Sequence, residues 1–179
     1  HFFIGKDGVF SSIFDFQANH ARSGRKGWFD HTLPTADELK ESIFQAHERA
    51  DSIGVLSTII ENHDEPRGVS HYIAEGPVND TSKKALGTIQ VLRKGIPFIY
   101  QGQEIGMENQ VFESVEDFDD IATINGYHVA KEAGLSEEEA LAAIANYSRD
   151  NARTPMQWTA EPGLGFSDGP AWLISPKPD

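Results

Sequence analysis

The chain has 179 residues and a formal net charge of −13, from 28 acidic and 15 basic residues. This length allows one domain with a hydrophobic core, and the acidic balance argues against a nucleic-acid partner, because phosphates attract basic surfaces. No apolar run approaches the ~20 residues of a membrane-spanning helix, and the lack of cysteine, which excludes disulfides and thiolate metal sites, fits a cytoplasmic protein without a membrane partner.

The predicted elements alternate between strands and helices. Three runs rich in β-branched and aromatic residues are typical of buried strands; they cover residues 9–16, 55–60 and 96–100. Two stretches with apolar residues at helical spacing separate these strands, over residues 35–50 and 81–93. A capping box opens the first helix, and a glycine follows the second. This alternation predicts an α/β fold in which neighbouring strands are parallel.

The last third of the chain has a different character. Residues 109–123 are acidic and predicted to be irregular, residues 136–147 are predicted to form a helix, and the chain from residue 150 is rich in Pro, Gly and Trp. No repeat or second domain is indicated. We therefore expect a single domain over residues 1–179.

Polar residues crowd the end of the second predicted strand. Residues 61–67, which include His63 and Asp64, directly follow its apolar run. In parallel α/β proteins the active site forms at the carboxyl ends of the strands, so these side chains are candidates for chemistry. The spacing leaves a structural alternative open, in which Asp64 or Glu65 caps a helix that begins at Pro66.

Two further segments carry polar groups. Glu104 lies in the loop after the third strand, where we expect it to accept backbone hydrogen bonds. Arg149 and Arg153 flank Asp150, and an arginine can fork onto a carboxylate or sugar hydroxyls; a surface ion pair of little energetic value is the alternative. The histidines lack zinc-binding spacing and no glycine-rich phosphate loop follows a strand, so no metal or cofactor is expected.

Three motifs, taken in order, resemble a known family. ENHD (residues 61–64) resembles the seventh-strand signature of the α-amylase superfamily, glycoside hydrolase family 13. QGQEIGM (101–107) and RDNARTPMQW (149–158) are similar to the group of oligo-1,6-glucosidases, dextran glucosidases and related α-glucosidases. The resemblance implies the C-terminal part of a (β/α)₈ TIM barrel, with the three strands here corresponding to barrel strands six, seven and eight. The upstream strands and the downstream β-sandwich are then expected to lie outside these residues.

The resemblance also implies roles for individual residues. It predicts a retaining, exo-acting α-glucosidase on short oligosaccharides, in which Asp64 holds the 2- and 3-hydroxyls of the glucose being cleaved and stabilises the transition state. His63 would bind the same sugar, Arg149 would close off the non-reducing end, and Asn62 and Arg67 would support the site. The family's nucleophile and general acid follow strands absent from this sequence, so we expect the chain alone to be inactive and to self-associate through exposed barrel edges.

One position departs from the family pattern, and several functions stay open. Ala122 stands where relatives that cleave α-1,6 bonds carry a glutamate, which weakens the expectation of α-1,6 preference. Trehalose-6-phosphate hydrolase and sucrose isomerase share nearly the same motifs. A non-catalytic amylase-like subunit is the third alternative; the retained His63, Asp64 and Arg149 argue against it.

Overall fold

The computed structural model describes residues 4–16, 35–73 and 78–173. Its strands form a parallel sheet of three in the order β1 (Ser12–Asp15), β2 (Val55–Thr58) and β3 (Ile96–Pro97). Ser12 lies opposite Val55, and Ser57 lies opposite Ile96. The predicted parallel α/β arrangement is therefore confirmed.

Each strand is shorter than predicted. The third covers two residues and has a neighbour on one side only in the described residues. One further backbone bond, from Phe98 N to Thr58 O at 3.0 Å, continues the pairing. The ladders of β2 with β1 and with β3 both end at Thr58, although Ile59 and Ile60 stay buried.

The helix α1 (Ala36–Asp51) connects β1 to β2. Thr35 accepts from Glu38 N, and the Glu38 carboxylate accepts from Thr35 N, so the predicted capping box is present. Ala46 and Ala50 on its inner face form a small core with Leu56 of β2. Small side chains at these positions allow the helix to lie close to the sheet.

Two helices connect β2 to β3: the short α2 (Gly68–Tyr72) and α3 (Asp80–Leu92), whose N-cap is Asn79. Ile60, Val69 and Leu86 form the core between them and the end of β2. Two buried polar contacts tie this layer to the strand ends. Gln90 donates to Thr58 O at 2.7 Å, and Arg93 pairs with Asp15 at 3.1 Å.

The region after β3 holds two more helices, α4 (Ile121–Glu132) and α5 (Glu137–Tyr147). The fifth helix was predicted from the sequence, and it follows a capping box formed by Ser136 and Glu139. Helix α4 was not predicted from the sequence, which indicated only an irregular stretch up to residue 123. Its N-terminus is fixed by Asp120, whose carboxylate accepts from the second and third helical N–H groups. A third core, of Phe112, Phe118 and Ile144, lies beneath these helices.

The sheet leaves much apolar surface exposed. Phe14 of β1 packs against Phe98 after β3 at 4.9 Å between ring centroids, yet both rings are nearly half exposed. The exposed large apolar side chains of the strands and their flanks include Ile13, Phe14, Phe16, Val55, Ile96, Phe98 and Ile99. This set is called the apolar sheet surface below. Of the helices in the described parts of the chain, none has both the length and the apolar composition that a membrane crossing requires.

Candidate functional site

The tip of β2 is a tight turn that presents His63 and Asp64. Asn62 shapes it, because its side-chain oxygen accepts from Asp64 N at 2.8 Å. Neither Asp64 nor Glu65 caps the next helix, so that structural alternative is wrong. Helix α2 begins two residues after Pro66, and the carboxylate of Glu61 accepts from its first N–H, that of Gly68. Asp64 is thereby left available on the surface.

The second part of the site is a short 3-10 helix over Arg149–Arg153, called the arginine turn below. Arg149 Nη1 lies 3.2 Å from Asp64 Oδ1, and Arg153 Nη2 lies 3.0 Å from the same oxygen. Arg153 Nε also donates to His63 O at 3.1 Å. The chain thus brings together groups separated by more than 80 residues.

Asp64 is an ionic centre that is still open to a ligand. Its side chain is 50% exposed, and its other oxygen, Oδ2, lies 3.2 Å from Nε2 of His63, whose side chain is 70% exposed. The guanidinium groups of Arg149 and Arg153 both contact Oδ1 and hold this side chain in one orientation. A half-exposed carboxylate held in one orientation is well suited to accept hydrogen bonds from the hydroxyl groups of a ligand.

Asp120 joins His63, Asp64, Arg149 and Arg153 in one group of polar side chains, called the cluster below. Its Oδ1 lies 3.1 Å from Arg149 Nε, so Arg149 bridges Asp120 and Asp64. Burial acts to raise the pKa of Asp120, but hydrogen bonds from Thr123 and from the N–H of Ala122, with the charge of Arg149, bring the net pKa below its usual value. The charge of Asp120, and then that of Asp64, raises the pKa of Arg149.

Arg67 lies beneath the site and is almost fully buried. Its Nη1 donates to Gln101 O at 2.7 Å, and its Nε donates to Asn151 O at 3.3 Å. Its guanidinium carbon lies 5.4 Å from the centroid of the Tyr100 ring. Arg67 therefore connects the loop after β3 to the arginine turn, and does not itself face the surface near Asp64.

The remaining candidates have structural surroundings. Glu104 Oε2 accepts from Gly102 N at 2.8 Å, as expected for a loop-stabilising acceptor. Ala122 is exposed in the first turn of α4.

A mostly apolar cavity of about 710 Å³ lies between α3 and the loop after β3, and its lining does not include Asp64. In the described segments, no group of three or more His, Asp or Glu side chains is arranged to hold a metal ion.

Sequence reasoning missed the contacts of Arg153 and Asp120 with this cluster. The two arginines lie at the ends of one short 3-10 helix, where residues four apart do not share a face, so their spacing did not predict the first contact. The contact between Asp120 and Arg149 depends on how α4 and α5 pack, which no local motif specifies.

Residues 6–177 match the family described as alpha amylase, catalytic domain. The chain is 38% identical over 171 residues to a probable oligo-1,6-glucosidase of Bacillus subtilis, covering 94% of this chain and 30% of that protein. It is 41% identical over 112 residues to a trehalose-6-phosphate hydrolase of the same organism, covering 63% of this chain and 20% of the relative. The crystal structure of a trehalulose synthase from Pseudomonas mesoacidophila matches with a TM-score of 0.86 at 34% identity, covering 97% of this chain and 32% of the other. The chain thus covers only a fifth to a third of the length of these relatives.

Proposed function

The chain belongs to the α-amylase catalytic-domain family of glycoside hydrolases, and we propose that it supplies the glucose-binding part of a retaining, exo-acting α-glucosidase for short oligosaccharides. In this proposal β1, β2 and β3 are barrel strands six, seven and eight. The nucleophile, the general acid and the other strands belong to further parts of the barrel. The β-sandwich of the family would follow.

The observation that carries the proposal is the position of Asp64 between Arg149 and Arg153, at 3.2 and 3.0 Å. Asp64 would accept hydrogen bonds from the 2- and 3-hydroxyls of the terminal glucose. These bonds strengthen as the ring flattens toward an oxocarbenium ion, because the hydroxyls become more acidic near the growing positive charge. His63 would donate to the same sugar from its exposed ring.

Arg149 would make the site exo-acting. Its guanidinium joins Asp64 to Asp120, so a charged wall stands beside the carboxylate that holds the sugar. Such a wall would leave no path for a longer chain to continue beyond the terminal glucose. Asn62 and Arg67 would support the site, the first through the turn at Asp64 and the second through the arginine turn.

A sucrose isomerase is the second candidate. The same trehalulose synthase has also been solved, as a variant, in complex with the substrate sucrose, at a TM-score of 0.84 to this chain. Both activities need a glucose site of this kind, and they differ in how the second sugar is held. The residues of the described cluster therefore fit both.

Products distinguish these candidates. We expect the complete enzyme to release glucose from p-nitrophenyl α-glucoside, maltose or isomaltose, with the α-anomer appearing first by ¹H NMR, as retention requires. The same panel would include sucrose and trehalose 6-phosphate. Conversion of sucrose into another disaccharide without net glucose release would favour the isomerase. Exclusive turnover of trehalose 6-phosphate would favour the phosphosugar hydrolase, and no turnover at all would favour the non-catalytic subunit.

Ala122 is expected to weaken α-1,6 preference. It lies in the first turn of α4, and the resemblance to relatives that cleave α-1,6 bonds implies that a glutamate at this position contacts the second sugar. We expect Ala122→Glu to shift the ratio of kcat/KM for isomaltose over maltose about 10-fold toward isomaltose. The matched control is Ala142→Glu, on the exposed surface of α5. Equal ratios in the two variants would mean that this position does not distinguish the linkages.

Two expectations from the sequence stay predictions. The first is a cytoplasmic location, which the lack of cysteine fits. The second is self-association of the isolated chain, which the exposure of the apolar sheet surface supports.

A further inference from the structure

Glu61 is a buried carboxylate that the proposed function does not use. It follows the apolar end of β2 and is 2% exposed. Its Oε2 accepts from Gly68 N, and its Oε1 lies 3.5 Å from Arg67 Nη1. Burial raises the pKa of Glu61, while the hydrogen bond from Gly68 and the charge of Arg67 oppose that rise. Burying a carboxylate costs free energy of folding unless a positive charge is paired with it. Arg67 supplies that charge for Glu61.

Arg67, the partner of Glu61, binds three backbone carbonyl groups. Besides its bonds to Gln101 and Asn151, its Nη2 lies 3.5 Å from Ala152 O, which also accepts from the Tyr100 hydroxyl at 3.0 Å. One planar guanidinium therefore fastens the middle of the arginine turn to the loop after β3. The two arginines at the ends of that turn hold Asp64.

Two glycines show how tightly this pair is enclosed. A Cβ at Gly68 would come within 3.2 Å of Glu61 Oε2. A Cβ at Gly102 would come within 2.9 Å of Arg67 Nη1, and Gly102 has φ +93°, which disfavours other residues. The backbone thus approaches both partners closely, and the guanidinium has little room for another orientation.

We infer that Glu61 is a positioning residue: its carboxylate fixes the orientation of the Arg67 guanidinium, and Arg67 in turn holds the arginine turn against Asp64. The carbonyl groups around Arg67 carry only partial charges. Among the residues that the structure describes, Glu61 is the acidic side chain that pairs with Arg67, and this contact selects the orientation that serves all its acceptors at once. The link to turnover rests on the proposed function. The link to the geometry of the arginine turn does not.

Glu61→Gln separates charge from shape. In this variant the amide oxygen still accepts from Gly68 N, and the amide NH₂ then faces Arg67. Both of these facing groups are hydrogen-bond donors, so the contact with Arg67 is lost. Glu61→Ala removes both contacts and tests the fold more severely. Glu161→Gln makes the same change at an exposed carboxylate and is the control.

The complete enzyme carries the test, with amide hydrogen exchange measured by mass spectrometry and steady-state kinetics on p-nitrophenyl α-glucoside. For Glu61→Gln we expect several-fold faster exchange in peptides covering residues 149–154, with unchanged exchange in α3. We expect kcat to fall about 10-fold, because a small displacement of the groups on Asp64 weakens transition-state binding. Glu161→Gln should change neither quantity.

Three results would overturn the inference. One is unchanged exchange at residues 149–154 in Glu61→Gln. Another is faster exchange spread evenly over the protein, α3 included, which indicates a stabilising role only. A third is local loosening with unchanged kcat in an active enzyme. If the wild-type enzyme hydrolyses no α-glucoside, the proposed function fails, and the exchange data alone decide the role of Glu61.

Discussion

Asp64→Asn is expected to lower kcat of the complete enzyme by about 10³-fold, with a much smaller change in KM. The substitution keeps the shape of the side chain but removes the negative charge that both arginines contact. The neutral amide also presents NH₂ to either an arginine or the sugar, where only an acceptor fits. Because the lost interaction strengthens in the transition state, the loss appears in kcat rather than in ground-state binding.

The measurement is a comparison of Asp64→Asn with Asp168→Asn, which makes the same chemical change at an exposed position. Thermal unfolding of both variants shows whether the fold is kept, which we expect because Asp64 is half exposed. Turnover within a few-fold of wild type in folded Asp64→Asn would remove Asp64 from the mechanism.

The 179-residue chain by itself is expected to hydrolyse no glycoside. A retaining enzyme needs a nucleophile and an acid about 5 Å apart across the scissile bond. In the proposed function Asp64 holds sugar hydroxyls, while Asp120 pairs with Arg149 and accepts from its own helix N-terminus, so neither carboxylate is expected to supply the nucleophile or the acid. The apolar sheet surface should also cause the isolated chain to self-associate.

Assays of the purified chain on p-nitrophenyl α-glucoside, maltose and isomaltose test the first expectation, and light scattering after size-exclusion chromatography tests the second. Activity that follows the protein through purification and disappears in Asp64→Ala would mean that the catalytic groups lie within these residues. A monodisperse monomer would show that the apolar sheet surface does not drive association.

The strands and most of the helices were predictable because their signals are local. The run around Leu56 and Ile59 has the composition of a buried strand. The four residues from Thr35 to Glu38 form a capping box, which predicts the start of a helix. Helix α4 was missed because Asn125 and Gly126 interrupt its middle, where weak helix formers are not expected. It is stabilised by packing on α5, and the sequence of the α4 segment alone does not indicate such a contact.

The site was predictable only in part. The motif at the end of β2 indicated His63 and Asp64, and the arginine turn was recognised as polar. That Arg153 would contact Asp64 depends on the orientation of a turn held by Arg67 from below. Long-range contacts of this kind follow from the fold, whereas the residue types on their own fit a surface ion pair equally well.

The capping boxes at Thr35, Asn79 and Ser136 bear on the order of events while the polypeptide is being synthesised. Each fixes the start of a helix with a handful of consecutive residues, so that start is specified as soon as those residues leave the ribosome. The strands have no such independence, since Ser12 must wait for Val55 before it has a partner. Helices α1, α3 and α5 are therefore expected to form early on the nascent chain, and the sheet to assemble later on a scaffold of helices already present.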